Sequence, residues 1–275
     1  MTTSIHTDVK HYYGEELTTN EDLKTNACCT IEAVPEAHKA ILKLIHPEVI
    51  EKYYGCGSPT PPLLEGLTVL DLGCGSGRDV YLMSKLVGET GHVIGIDMTD
   101  NQLEVANNHK EYHAKQFGYA KSNVTFKKGF IENLKDAGIE DNSIDLIISN
   151  CVINLSPDKE SVFKEIHRVL KPGGELYFSD VYADRRISDE LRADPILYGE
   201  CLSGSLYKED FRRLMQSIGF NDFRVISKAP ITIENKALLK KTGNIRFDSV
   251  TIRVFKLELR SEEHTSELQS PDHLV

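Results

Sequence analysis

Val69-Leu70-Asp71-Leu72-Gly73-Cys74-Gly75-Ser76-Gly77-Arg78 decides the fold. Residues 69–72 read as a strand buried on both faces, the glycines as a tight turn, and Arg78 as the start of a helix. Glycine lacks a Cβ, so alternating glycines permit unusual backbone angles and let a ligand approach the main chain. The spacing excludes a dinucleotide fingerprint. G-x-G-x-x-G would place its third glycine at 78, where Arg78 stands. The run is instead G-x-G-x-G, with Asp71 just ahead of it.

Twenty positions beyond Gly77 lies Asp97, closing a second apolar run at 93–96. A carboxylate there can accept hydrogen bonds from both hydroxyls of a ribose. A nucleoside without a pyrophosphate would use these features, which favours S-adenosylmethionine over NAD. Asp71, Gly73, Gly75, Gly77, Arg78 and Asp97 are therefore candidate cofactor-binding residues. The bland alternative is that the glycines form only a βα turn.

Further apolar runs at 124–126, 144–148 and 176–178 alternate with helix-like segments at 78–86, 101–117 and 159–170. That rhythm predicts an α/β fold: a doubly wound, mostly parallel Rossmann-like sheet covered by helices. Lys171-Pro172-Gly173-Gly174 reads as a sharp stop and turn. A helix around 209–218 and strands at 223–226 and 250–257 could complete the sheet. Residues 1–60 read as an N-terminal helical cap, 61–182 as the cofactor-binding core, and 183–259 as a substrate-binding insertion and extension with the remaining strands. Pro59, Pro61 and Pro62 break the chain before the core.

Ligands of such sheets bind at the carboxyl ends of the strands. Ile131 and Glu132 lie just past the third strand and could sandwich the adenine and bond its amino group. Met98, after Asp97, could pack on the adenine, and Asn150, ending the fourth strand, could meet the ribose or the methionine portion.

The six cysteines are Cys28, Cys29, Cys56, Cys74, Cys151 and Cys201. No Cys-x-x-Cys pair points to a zinc knuckle. Cys151 follows the fourth strand at the edge where a methyl donor would point. Cys56 and Cys201 lie in segments that could fold over that edge. Three thiolates meeting there would form a soft trigonal site for a thiophilic acceptor. The competing reading of each is a small buried hydrophobe. Cys74, inside the glycine loop, reads as filler. His109 and His113 are spaced i, i+4, but Glu111 is misplaced for H-E-x-x-H, so they read as the polar face of a helix. Asn123-Val124-Thr125 matches a glycosylation sequon but overlaps a strand.

The chain has 275 residues, 40% of them apolar and 27% charged, and a net charge of -10. An acidic surface repels phosphate backbones, so nucleic acid is not an expected partner. No run approaches the roughly 18 apolar residues of a membrane span. Residues 1–10 lack a secretory signal, so a cytoplasmic, reducing location is expected. Residues 260–275 resemble the in-frame translation of a sequencing-library adapter and are set aside from the fold reading.

The glycine loop resembles motif I of class I S-adenosylmethionine-dependent methyltransferases. More narrowly, the chain resembles the animal arsenite methyltransferases from about Asp8 to Lys256. The supporting stretches are Tyr53-Tyr54-Gly55-Cys56-Gly57, the run from Gly91 to Thr99, Ser149-Asn150-Cys151-Val152-Ile153-Asn154-Leu155, the run from Gly174 to Tyr182, and Gly199-Glu200-Cys201-Leu202. The resemblance implies that Cys151 and Cys201 hold arsenic, and that Cys56 and Cys28 join them in a catalytic thiol relay. Cys29 has no family counterpart. It further implies methylation of arsenite or its thiol conjugates, with thioredoxin or glutathione as reductant. The family usually continues into a further cysteine-bearing C-terminal domain. Rival expectations are a methyltransferase for a small organic molecule, in which the cysteines disperse, and a non-catalytic binding fragment, which shows no turnover.

Overall fold

The computed structural model describes residues 2–13, 36–54 and 59–257. Helices α1 (Thr2–His11), α2 (Glu36–Leu42) and α3 (Pro47–Glu51) precede the sheet. Then β1 (Thr68–Leu72), α4 (Arg78–Val87), β2 (His92–Asp97), α5 (Asp100–Asn108), α6 (Lys110–Phe117), β3 (Val124–Lys128), β4 (Ile144–Asn150), α7 (Lys159–Val169) and β5 (Leu170–Ala183) follow in the expected alternation. The chain continues through α8 (Asp189–Arg192), α9 (Pro195–Gly199), β6 (Leu206–Tyr207), α10 (Lys208–Ile218), β7 (Phe223–Pro230), α11 (Lys236–Thr242) and β8 (Phe247–Phe255). Cys28, Cys29, Cys56 and the 260–275 tail lie outside the described residues.

The sheet order is β3-β2-β1-β4-β5-β8-β7, with β6 pairing β5. Pairings from β3 through to β5 are parallel, whereas β8 runs antiparallel to both β5 and β7. The doubly wound expectation holds. Chain order reverses between β1 and β4, and a crevice opens beyond the carboxyl ends of these two strands, where such sheets take ligands.

Both sheet faces are covered, which is why the strands read as unbroken apolar runs. Leu70, Leu72 and Ile147 point to the side of α7 and α10, packing with Phe163, Ile166, Phe211 and Met215. Val69, Val93, Leu146 and Ile148 point to the other side, with Tyr81, Met83 and Leu103 of α4 and α5. A third apolar cluster joins α1 to the region after β5, and Cys151 and Cys201 sit within it, alongside Val9, Leu197 and Phe247.

Two local expectations are corrected. The stretch 101–117 is two helices, broken at His109. Asn107 and Asn108 favour the helix weakly, and the Asn107 side chain bonds the Leu103 carbonyl at 2.8 Å. His109 is held off the helical path at φ -106°, ψ 11°. Its ring stacks on His46 at 3.7 Å and bonds Glu48 at 2.8 Å. The Lys171-Pro172-Gly173-Gly174 stop is a bulge inside β5: pairing with β4 jumps from Ile144–Leu170 to Leu146–Glu175. Pro172 has no N–H to give the ladder. Gly173 takes φ +78° and donates to the Lys256 carbonyl at 2.7 Å.

Candidate active site

A cleft lies at the reversal point. The sequence-predicted Asp71, Gly73, Gly75, Asp97, Met98, Ile131, Glu132, Asn150 and Cys151 all line it. The glycine loop builds its floor. Gly73, Gly75 and Gly77 have φ of +71°, +50° and +88°, a region that side chains disfavour. The three serve different purposes. A Cβ on Gly73 would lie 2.3 Å from Val152, and one on Gly77 would lie 2.9 Å from the Phe126 ring. A Cβ on Gly75 would find nothing nearer than Gln102 Oε1 at 3.9 Å. Gly75 therefore borders open space, whereas Gly77 permits close packing of helix on strand. Gly77 and Arg78 are not among the lining residues. The Arg78 guanidinium stacks over Tyr53 at 3.9 Å and pairs with Asp79 at 3.0 Å.

Asp97 anchors the loop from the side. Its carboxylate accepts from the Gly75 N–H at 2.9 Å and the Thr99 N–H at 2.8 Å. Burial pushes the Asp97 carboxyl up, against the pull of these donors. Burial, then Asp79 and Asp97, push the Asp71 carboxyl well above the usual range. Four acidic residues line the cleft, Asp71, Asp79, Asp97 and Glu132, against one lysine, Lys52. Such a field favours a ligand carrying positive charge and opposes a pyrophosphate.

The donor set fits S-adenosylmethionine on observations of the cleft itself. Gly75 leaves room for a ligand against the main chain. Gln102 Oε1 is buried with no hydrogen-bond partner among the described residues, an acceptor awaiting a donor. The surplus of carboxylates suits a sulfonium and an ammonium.

The sequence reading missed the roof. In α1, His6 bonds Glu132 at 3.0 Å and packs on Phe130 with ring centroids 4.7 Å apart, while Val9 turns into the cleft. Tyr13 and Tyr54 also line it, edge to face at 5.7 Å. The Tyr12-Tyr13 pair is visible in the sequence, but nothing local ties it to this edge. Ser76 Oγ donates to the Val49 carbonyl at 2.8 Å, joining the glycine loop to α3.

Of the predicted thiols, Cys151 and Cys201 are brought together. The Cys201 thiol donates to the Cys151 carbonyl at 3.2 Å, and the Tyr13 hydroxyl lies 3.9 Å from its sulfur. Both residues have left-handed backbone, φ 58° and 60°. Cys151 is disulfide-bonded, whereas Cys74 is a free thiol. Cys74 packs against Gly95. Cys28 and Cys56 fall outside the described residues, so their expected convergence does too. The expectation of a polar face at His109 and His113 is corrected: His113 is 1% exposed and stacks on Tyr81 at 3.5 Å. His46, Glu48 and His109 group ligand-type atoms within 4.8 Å of one another. The His46 and His109 rings lie 19° from parallel, so their nitrogens do not converge on a common point.

Residues 63–219 match a family profile described as a methyltransferase domain. The chain is 55% identical over 254 residues to an arsenite methyltransferase of Aquipseudomonas alcaligenes, covering 92% of this chain and 73% of that one. The chain belongs to the arsenite methyltransferase family. A human arsenite methyltransferase is 50% identical over 253 residues, covering 92% of this chain and 68% of that one. The solved structure of an arsenic(III) S-adenosylmethionine methyltransferase from Chlamydomonas reinhardtii aligns with a TM-score of 0.80 at 53% identity, over 83% of this chain and 76% of that one. Membership makes the chain an S-adenosylmethionine-dependent methyltransferase. No helix among the described residues is long and apolar enough to cross a membrane.

Proposed function

We propose that the chain methylates trivalent arsenic, as arsenite or a thiol conjugate, held by the thiolates of Cys151 and Cys201. The observation that carries this is the contact of the Cys201 thiol with Cys151, 50 positions away in sequence, where Cys151 lines the cofactor cleft. An organic substrate gives no reason for a thiol to seat on the main chain of a second cysteine at this edge.

Asp97 would hold the ribose hydroxyls, Met98 and Ile131 the adenine faces, and Glu132 its amino group. Asn150 would meet the ribose or methionine portion, Gln102 a polar hydrogen, and Asp71 the positive end. When bound, S-adenosylmethionine supplies a methyl group made electrophilic by its sulfonium. Cys151 and Cys201 fix arsenic with its lone pair free, so orientation is the main source of rate. No general base is needed at the transfer, because that lone pair carries no proton. Val9, Tyr13 and Phe130 of the roof would cover the bound cofactor from one side.

Methylation formally oxidises arsenic by two electrons. Two thiols that close a disulfide return them, with Cys56 and Cys28 as the relay partners. A dithiol or thiol reductant of the thioredoxin or glutathione class then reopens the bond. The disulfide at Cys151 must be reduced before its sulfur can bind arsenic, which suits a reducing, cytoplasmic setting.

The test combines arsenite, a thiol reductant and labelled S-adenosylmethionine, followed by arsenic speciation. C151S and C201S should each abolish methylated arsenic and leave cofactor affinity intact. Unchanged turnover in both variants refutes the thiol site.

A further inference from the structure

Lys159 opens α7, where the helix dipole disfavours a cation. The residue is partly buried, yet its ammonium contacts no carboxylate within ion-pair range among the described residues. It donates instead to two main-chain carbonyls, Ser156 at 2.8 Å and Asn154 at 3.1 Å. These carbonyls belong to the turn that immediately follows Cys151.

Asn154 is the junction of that turn. Its N–H and side-chain amide donate to the two Asp180 oxygens at 3.0 and 2.7 Å, and the amide also reaches the Val181 carbonyl at 2.6 Å. The segment carrying Cys201 rests on the same residue. A Cβ on Gly204 would lie 2.2 Å from the Asn154 oxygen, so the two backbones touch with no side chain between them. Tyr198, three residues before Cys201, donates to the Leu155 carbonyl at 3.3 Å. The oxygen gripped by Lys159 is thus the one against which the Cys201 segment packs.

We propose that Lys159 is a positioning residue: through Asn154 it sets the spacing of the Cys151 and Cys201 sulfurs, and it supplies positive potential beside them when they hold arsenic as thiolates. This rests on the reading that these two sulfurs bind arsenic. The charged or titratable groups facing Lys159 are Asp180 of β5, Arg192 of α8, Cys201 after α9 and Glu132 after β3. Burial pushes the ammonium down to about 8. It is charged at neutral pH and loses that charge as pH rises through this value.

The test measures arsenite and S-adenosylmethionine binding to fully reduced protein. K159M should weaken arsenite binding about ten- to hundredfold, and more than it weakens S-adenosylmethionine binding, because the two bonds it removes order the turn behind Cys151. G204A, which pushes the Cys201 segment off Asn154, should act in the same direction. K159R should restore most of the affinity. Relative to K159R, wild-type arsenite affinity should fall above about pH 8, a comparison that cancels the titration of arsenite and of the thiols. C201S is the control: if it binds arsenite like wild type, the thiol reading itself fails. If C201S loses binding while K159M keeps it, or if wild type and K159R share one pH profile, the role of Lys159 is overturned and the thiol reading stands.

Discussion

His113 is held neutral by its surroundings. Burial, together with His109 and His46, pushes its imidazole down to about 4, although its bond to the His109 carbonyl works the other way. The unfolded chain binds a proton near 6.5. The native state is therefore favoured above that value and loses the advantage as pH falls toward 4, by on the order of 3 kcal/mol. In urea unfolding, the stability gap between wild type and H113Q should narrow from pH 7 to pH 5; a constant gap contradicts the assignment. The glycines separate two further effects. G77A meets the Phe126 ring and a φ of +88°, so it should cost about 1–3 kcal/mol of stability. G75A carries the left-handed strain of φ +50° but meets no atom nearer than 3.9 Å, so it should cost less stability than G77A and weaken cofactor binding. Melting temperatures and calorimetric titration distinguish them, and the opposite pattern would reverse the roles given to these two positions.

Elements differ in how far the sequence exposes them. The strands of the parallel half are legible because burial on both faces leaves no polar alternation, and the loop after β1 is legible because few sequences need three alternating glycines. Asp97, Ile131 and Asn150 follow from strand ends alone. Arg78 does not, because the motif gives its position but not its direction, and the guanidinium turns to Tyr53 and Asp79. The roof is illegible for another reason. Helix α1 has only ten residues, and its contacts with Phe130, Glu132 and the Cys201 segment span more than a hundred positions of chain. V9N tests its role. A neutral amide in place of the 4% exposed Val9 should weaken S-adenosylmethionine binding by about 1–3 kcal/mol through burial of an unpaired polar group. Unaltered affinity in a calorimetric titration removes α1 from the cleft.

At the scale of the whole molecule, the net charge of -10 bears on which arsenical arrives. Arsenous acid is uncharged at neutral pH, so its KM should change less than about twofold between low and high ionic strength. A glutathione conjugate is anionic, is repelled at low salt, and should show a KM that falls as salt screens the field. Initial rates at varied salt with each substrate separate the two. Equal salt dependence would mean that the acidic surface does not govern substrate arrival.

The left-handed backbone at Cys151 and Cys201 has an evolutionary consequence. Glycine or asparagine would be more comfortable at either position. The thiols therefore persist there against a steady conformational preference. A lineage no longer exposed to the metalloid should lose them first at these two places, and its descendants should emerge sturdier and inert.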